Sequence, residues 1–101
     1  KHEIICNFTD GEILNGDVFI IPDDKHLVNV IKQSKKQKLK IRKDFGIISY
    51  NEMPLKSIVE NGITTISTDF WQMGKILADM VLNNKEGRIE NASNLIIRNS
   101  L

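Results

Sequence analysis

Short apolar runs alternate with amphipathic stretches along the chain. The run Val18–Ile21 is continuously apolar, a pattern typical of a strand that is buried on both faces of a parallel sheet. After it, Leu27, Val30 and Ile31 recur at helical spacing, which predicts an amphipathic helix that opens at Pro22. The same reasoning predicts strands over residues 2–6, 46–50, 64–67 and 94–98, and a second helix over residues 70–82.

Strand and helix therefore alternate along the 101 residues of the chain. This order predicts an α/β fold in which parallel strands are joined by right-handed helical crossovers. The length fits a single domain and not several. We expect one α/β domain in which helices and a parallel sheet form a sandwich.

Composition and charge narrow the possible functions. Hydrophobic residues make up 41% of the chain and charged residues 27%, so the chain can form a core and is not a disordered segment. A net charge of +1 gives no general attraction to nucleic acid or to an anionic membrane. The single cysteine, Cys6, cannot form an internal disulfide, which favours a reducing compartment. The longest apolar run is too short for a membrane span or a secretory signal.

Polar and aromatic side chains follow three of the predicted strands at their carboxyl ends, where open parallel sheets bind ligands. Carboxylate, amide and hydroxyl groups match the donors and acceptors of sugar hydroxyls, and an aromatic ring can cover the apolar side of a sugar. The pattern therefore favours a polyhydroxylated ligand. The residues concerned are Asp23, Asp24, Tyr50, Asn51, Glu52, Thr68, Asp69 and Phe70.

Structural roles stay open for the same residues. Asp24 and Asp69 open helices, where a carboxylate commonly caps free backbone N–H groups. Asn51 precedes a turn and is equally well explained by turn chemistry, and Phe70 can belong to the core. A magnesium or calcium site built from the carboxylates lacks the support of a compact loop motif.

Residues 32–43 contain half of the basic side chains, which suits either a phosphate-binding patch or a solvated helix face and loop. No aromatic residues interleave with them, which favours the solvated face. The sequence has no phosphate-binding loop, dinucleotide-binding fingerprint or nucleophile elbow. We therefore expect a protein that is not an enzyme, with no catalytic residue, no metal and no cofactor.

A series of motifs covers the chain from Asp17 onwards. Val-Phe-Ile-Ile-Pro-Asp-Asp ends at Asp24, Gly-Ile-Ile-Ser-Tyr-Asn-Glu ends at Glu52, and Ile-Thr-Thr-Ile-Ser-Thr-Asp-Phe-Trp-Gln-Met-Gly ends at Gly74. A closing run, Leu-Ile-Ile-Arg-Asn-Ser, ends at Ser100. In this order the motifs resemble those of the lactose-repressor family of bacterial regulators.

The resemblance implies a periplasmic-binding-protein-like sensor, in which an effector, commonly a sugar or a purine, binds between two α/β lobes. It implies that residues 1–101 form the carboxyl-terminal part of such a domain, a partial lobe that is mostly the second one. The first lobe and a DNA-binding headpiece, of helix-turn-helix or GntR winged-helix type, would lie outside this chain. The family's effector-binding positions and those near its hinge fall on Asp23, Asn51, Thr68 and Phe70.

The sequence departs from the family pattern at several positions. Asp23 stands where the family has asparagine, Asn51 and Glu52 stand for a pair of aspartates, and Ser49 stands for glycine. Residues 8–16 are also too few for the helix that normally joins the first two strands. The resemblance therefore does not identify the effector.

The resemblance implies the ligand-sensing and dimerising part of a DNA-binding transcription regulator. A sugar is the expected effector, a shift in lobe closure the expected response, and residues 64–69 the expected hinge. We expect a cytoplasmic homodimer that binds DNA through the headpiece and does not bind a membrane. The apolar face of the second helix is expected to pack on this lobe or on another copy. Two alternatives stay open: a solute-binding protein of a transport system, and a degenerate module that only mediates oligomerisation.

Overall fold

A computed structural model describes residues 2–101, and its strands and helices follow the predicted order from residue 18 onwards. Both helices are confirmed, and the last strand is shorter than predicted. The elements are β1 (Val18–Ile21), α1 (Asp24–Lys36), β2 (Gly46–Tyr50), two 3₁₀ turns (Pro54–Ser57 and Val59–Asn61), β3 (Thr64–Thr68), α2 (Phe70–Leu82) and β4 (Ser93–Ile96).

The four strands form one sheet in the order β1-β2-β3-β4. The first three strands are parallel, and β4 is antiparallel to β3. The α/β class and the partial-lobe architecture are confirmed, whereas the expectation that every strand is parallel is wrong at β4. The reason is the connection: after α2 the chain returns to the end of β3 that it has just left, and from there only an antiparallel strand can pair.

Residues 2–6 do not form the predicted strand. Ile4 is 88% exposed, and Ile5 and Cys6 are exposed as well. β-Branched residues favour a strand only where a neighbouring strand and a packed surface exist, and within residues 2–101 this segment has neither. The first residue that enters the core is Phe8.

The core lies between α1 and one face of the sheet. The rings of Phe8 and Phe45 pack edge-on against the ring of Phe19, with centroids 5.5 and 6.2 Å away. Helix α1 contributes the apolar stripe that its spacing predicted. The buried apolar residues are Phe8, Ile13, Ile21, Leu27, Val30, Ile31, Phe45, Ile47 and Ile63.

The opposite face of the sheet is open. Val18 and Ile20, which alternate with the buried side of β1, are 56% and 70% exposed. The expectation that β1 is buried on both faces is therefore wrong, because residues 8–16 contain no helix that could cover the second face. Tyr50 of β2 is also exposed.

Helix α2 has no buried residue, and the structure is elongated, with extents of 55 × 26 × 21 Å. The apolar residues Met73, Ile76 and Met80 face a groove of about 340 Å³ whose other wall is residues 87–91. The first alternative of the prediction, that this face packs back on this lobe, is not fulfilled at the sheet, because no residue of α2 is buried. The N-terminal end of the helix lies at the edge of the sheet, where the Asp69 N–H donates to the carbonyl of Ala92. From there the helix leads away from the sheet. Packing on another copy stays a prediction.

Candidate functional site

The carboxyl ends of β1, β2 and β3 lie at one edge of the sheet. Ile21 is in register with Ser49, and Tyr50 is in register with Ile66. The residues that follow these strands therefore meet at the same edge. We call this edge the rim and define it as residues 22–24, 51–53 and 68–70.

Asp23 lies on the rim as the N-cap of α1. Its Oδ1 accepts a hydrogen bond from the backbone N–H of His26 at 2.9 Å, and its Oδ2 contacts the His26 ring nitrogen Nδ1. The backbone N–H of His26, followed by its side chain, lowers the pKa of Asp23. Asp23 and not Asp24 is therefore the capping residue, and its carboxylate carries a negative charge to the rim at neutral pH.

Asn51 is exposed on the rim, and its backbone adopts the left-handed conformation with φ of 63°. Its N–H donates to the carbonyl of Ile66 at 2.8 Å, which ties the turn to β3. Asparagine tolerates this conformation better than most residues, which explains why it is suited to this position in the turn. Within residues 2–101 the amide side chain forms no hydrogen bond, so it is available to a ligand as donor and acceptor.

Glu52 is held by residues far along the chain. Arg98 donates two hydrogen bonds to its carboxylate, at 2.9 and 3.0 Å, and Thr65 donates a further one. The hydrogen bond from Arg98 is the largest cause of the lowered pKa of Glu52. Glu52 is therefore an internal tie between the rim and β3 rather than a free ligand-binding group. Its N–H donates to Ser67 Oγ at 2.8 Å.

Thr68 and Phe70 share a shallow cleft of about 350 Å³ on the rim. Phe70 is 51% exposed and therefore presents its ring to the surface instead of the core. Asp69 caps α2 by accepting a hydrogen bond from the N–H of Gln72 at 2.9 Å. Asp23 and Asn51 lie on the same rim but outside this cleft. The lining residues are Glu52, Ser67, Thr68, Asp69, Phe70, Asn94 and Ile96.

Lys56 lies beneath the rim, and the sequence does not reveal its position there. It is only 4% exposed, and its ammonium group contacts the carbonyl oxygens of Tyr50 and Asn51 and the carboxylate of Asp24. A lysine in a short turn is ordinarily solvated. No spacing or motif distinguishes Lys56 from the other lysines, so only the fold identifies it.

The remaining chemistry of the chain is sparse. Within residues 2–101, no group of three His, Cys, Asp or Glu side chains could hold a metal ion. No helix of this part of the chain has the length and hydropathy that crossing a bilayer requires. In the basic stretch, Lys35 pairs with Glu60 at 2.6 Å and Arg42 donates to Asn99 at 2.9 Å. Pairs of this kind between surface side chains are typical of a solvated face.

This geometry defines a class of protein: an α/β lobe that gathers ligand-type side chains at the carboxyl edge of its sheet. The chain belongs to the family of periplasmic binding protein-like domains, whose family model matches residues 15–101. The fold implied by the sequence resemblance is thereby confirmed. No curated protein sequence matches the chain.

Three solved structures show the same fold. A chain assigned as a LacI-family transcription repressor of Corynebacterium glutamicum is 24% identical, with a TM-score of 0.64 over 83% of this chain and 34% of its own. A chain assigned as a transcription regulator of Staphylococcus saprophyticus is 24% identical, with a TM-score of 0.68 over 83% of this chain and 32% of its own.

The third structure is the transcription regulator CcpA of Lactococcus lactis, which is 19% identical, with a TM-score of 0.60 over 82% of this chain and 33% of its own. The chain therefore spans about a third of the length of the structures that it matches. At these identities the likeness is one of fold.

Proposed function

We propose that this chain is the second-lobe part of the effector-sensing domain of a bacterial transcription regulator, with a sugar as effector. The observation that carries the proposal is the rim, where three strand ends present a carboxylate, a free amide, a hydroxyl and an exposed ring. In this proposal Asp23, Asn51, Thr68 and Phe70 bind the effector. The fold likeness to transcription regulators supports the regulatory part of the proposal.

The chemistry of the rim suits a sugar better than a planar base. The Asn51 amide offers both a donor and an acceptor, and the Asp23 carboxylate accepts strongly from hydroxyl groups. The exposed ring of Phe70 can cover the apolar side of a sugar while polar groups fix its orientation. Because the cleft at Thr68 is shallow, a second surface must complete the site, and we propose that the first lobe supplies it.

The proposed mechanism is a shift in lobe closure. Residues 64–69 comprise β3 and Asp69, the N-cap of α2, so the chain leaves the sheet at the end of this segment. They are therefore the proposed hinge. A sugar that contacts both lobes favours the closed arrangement, and the equilibrium between closed and open forms moves accordingly. The proposal includes a cytoplasmic homodimer that binds DNA through a headpiece outside this chain.

The proposal is tested by isothermal titration of the full-length gene product. The probes are D-glucose, D-galactose, D-ribose and L-arabinose, with hypoxanthine and guanine as purine comparisons. We expect one of the sugars to bind and the replacement Asn51→Ala to weaken its binding by about tenfold, the loss of one good hydrogen-bonding group. Binding of a purine alone contradicts the sugar assignment.

Asn61 provides the matched control for Asn51. It is also an exposed asparagine in the left-handed conformation, with φ of 61°, and it precedes β3 at the opposite edge of the sheet. Asn61→Ala therefore introduces the same backbone strain without touching the rim. We expect Asn61→Ala to leave sugar affinity unchanged; an equal loss in both variants contradicts the site assignment. A secretory signal upstream, in place of a headpiece, supports a transport protein instead.

A further inference from the structure

The ammonium group of Lys56 is held beneath the rim by two hydrogen bonds and one ion pair. Nζ donates to the carbonyl oxygens of Tyr50 and Asn51, both at 2.9 Å, and lies 2.8 Å from Oδ1 of Asp24. Two of the three N–H donors of the ammonium are therefore hydrogen-bonded to backbone carbonyls, and the carboxylate of Asp24 pairs with its charge. The side chain is also almost completely buried, at 4% exposed.

These contacts join three separate segments of the chain at this edge of the sheet. Tyr50 ends β2 and Asn51 follows it, Asp24 begins α1, and Lys56 itself lies in the 3₁₀ turn Pro54–Ser57. The backbone of Lys56 is anchored as well, because its carbonyl accepts from the N–H of Ile63 at 2.7 Å just before β3. Lys56 therefore connects the carboxyl ends of β1 and β2 to the start of β3.

The oxygen atoms around Lys56 are arranged so that a positively charged group between them is stabilised. Two consecutive carbonyl groups point towards one nitrogen, which is possible because Asn51 adopts the left-handed conformation with φ of 63°. Two convergent carbonyl dipoles and a carboxylate repel one another unless a positive charge lies between them. The ammonium of Lys56 provides that charge from within the chain.

We infer that Lys56 is a positioning residue that holds the rim in its binding geometry through Asn51 and Asp24. Its ammonium keeps the turn after β2 in the left-handed conformation, and this conformation determines where the Asn51 amide projects. Lys56 does not itself present a group to the ligand, because it is buried. The role in effector binding rests on the proposed function; the role in holding the turn does not.

The turn is tested by amide hydrogen exchange in the full-length gene product. The N–H groups of Asn51 and Glu52 donate to the Ile66 carbonyl and to Ser67 Oγ, both at 2.8 Å, so their protection reports the geometry of the turn. Lys56→Met keeps the length of the side chain and removes the charge. We expect at least about tenfold faster exchange at these two amides, with the amides of α1 unchanged. Unchanged exchange at Asn51 and Glu52 overturns the inference.

The control is Lys32→Met, which makes the same substitution at an exposed lysine of α1. We expect the Asn51 and Glu52 amides to exchange in Lys32→Met as they do in the unaltered protein. Equal acceleration in Lys32→Met and Lys56→Met overturns the inference, since it would reflect the general loss of a positive charge.

Chemical rescue separates the ammonium from the packing of the side chain. Lys56→Ala removes the equivalent of n-propylammonium, which is therefore added back to this variant. We expect n-propylammonium to restore protection of the Asn51 and Glu52 amides and n-propanol, of the same length but neutral, not to do so. Restoration by both compounds, or by neither, overturns the assignment of the role to the charge.

Effector binding is measured separately with the four sugars named above as probes. We expect Lys56→Met to weaken by about tenfold the binding of the sugar that the unaltered protein binds, which is the effect of losing the Asn51 contact. If no probe binds but the turn loosens in Lys56→Met, the proposed function fails and the role in the turn stands. If a sugar binds equally well to Lys56→Met, the positioning role fails and the proposed function stands.

Discussion

Arg98 and Glu52 lie 46 positions apart in the sequence and form a paired hydrogen bond at 2.9 and 3.0 Å. The same guanidinium donates to the carbonyl of Ile63 at 2.9 Å, so it joins the turn after β2 to the start of β3. Both side chains are largely shielded from solvent. Planar two-point pairing of this kind fixes orientation as well as distance, because both N–H groups must align with both oxygens.

Loss of this pair should lower the stability of the fold. Arg98→Met keeps much of the side-chain length and leaves the carboxylate of Glu52 without its main partner. We expect the free energy of unfolding to fall by about 2 kcal/mol, the usual effect of removing charged hydrogen bonds from a shielded site. Urea denaturation measures it. The control is Arg88→Met, at an exposed arginine, and an equal loss in both variants would contradict a specific role for Arg98.

The same pair predicts how stability depends on pH. The hydrogen bond from Arg98 is the largest cause of the lowered pKa of Glu52, whose ordinary value is 4.5. A carboxyl group with a lowered pKa in the folded state stabilises the fold above its unfolded pKa, and that contribution is lost as the pH falls through the folded pKa. We expect the urea concentration at the unfolding midpoint to decrease as the pH is lowered below about 4.5. In Glu52→Gln it should decrease less steeply. Parallel curves for the two proteins would contradict this assignment.

Local patterns predicted much of the fold, because helix periodicity and strand ends depend on nearby residues. The stripe of Leu27, Val30 and Ile31 predicted α1, and the polar residues after each strand predicted the rim. The burial of Lys56 could not be predicted in this way, since it arises from contacts with β2 and α1 that only the folded chain creates. The same holds for Arg98, whose partner lies in another motif.

Sequence patterns also do not reveal whether a layer covers a surface. The apolar run that contains Ile20 predicted burial on both faces of β1, yet the structure covers only one. The β-branched residues Ile4 and Ile5 predicted a strand that has no partner within residues 2–101. In both cases the residue types indicate a preference, and a neighbouring element decides the outcome.

The open face of the sheet gives a direct prediction. Ile47 is completely buried, whereas Ile20, on the neighbouring strand, is 70% exposed. Ile47→Ala should lower the free energy of unfolding by about 2–5 kcal/mol, and Ile20→Ala by less than about 1 kcal/mol, because little apolar area is buried there. Urea denaturation measures both changes. A loss at Ile20 as large as that at Ile47 would show that another surface covers this face in solution.

Gly62 links backbone conformation to the Arg98 contact. Its φ is 105°, and a Cβ at this position would lie 2.9 Å from Cδ of Arg98. Gly16 has a similar φ of 92° but no atom near its would-be Cβ, so Gly16→Ala measures the backbone strain alone, about 1–2 kcal/mol. We expect Gly62→Ala to destabilise the fold further, because the new methyl group displaces Arg98 from Glu52. Arg98→Ala removes the Cδ atom and keeps only Cβ, 3.1 Å from the new methyl group, so in that background the excess should shrink; equal losses at Gly62 and Gly16 would contradict the contact.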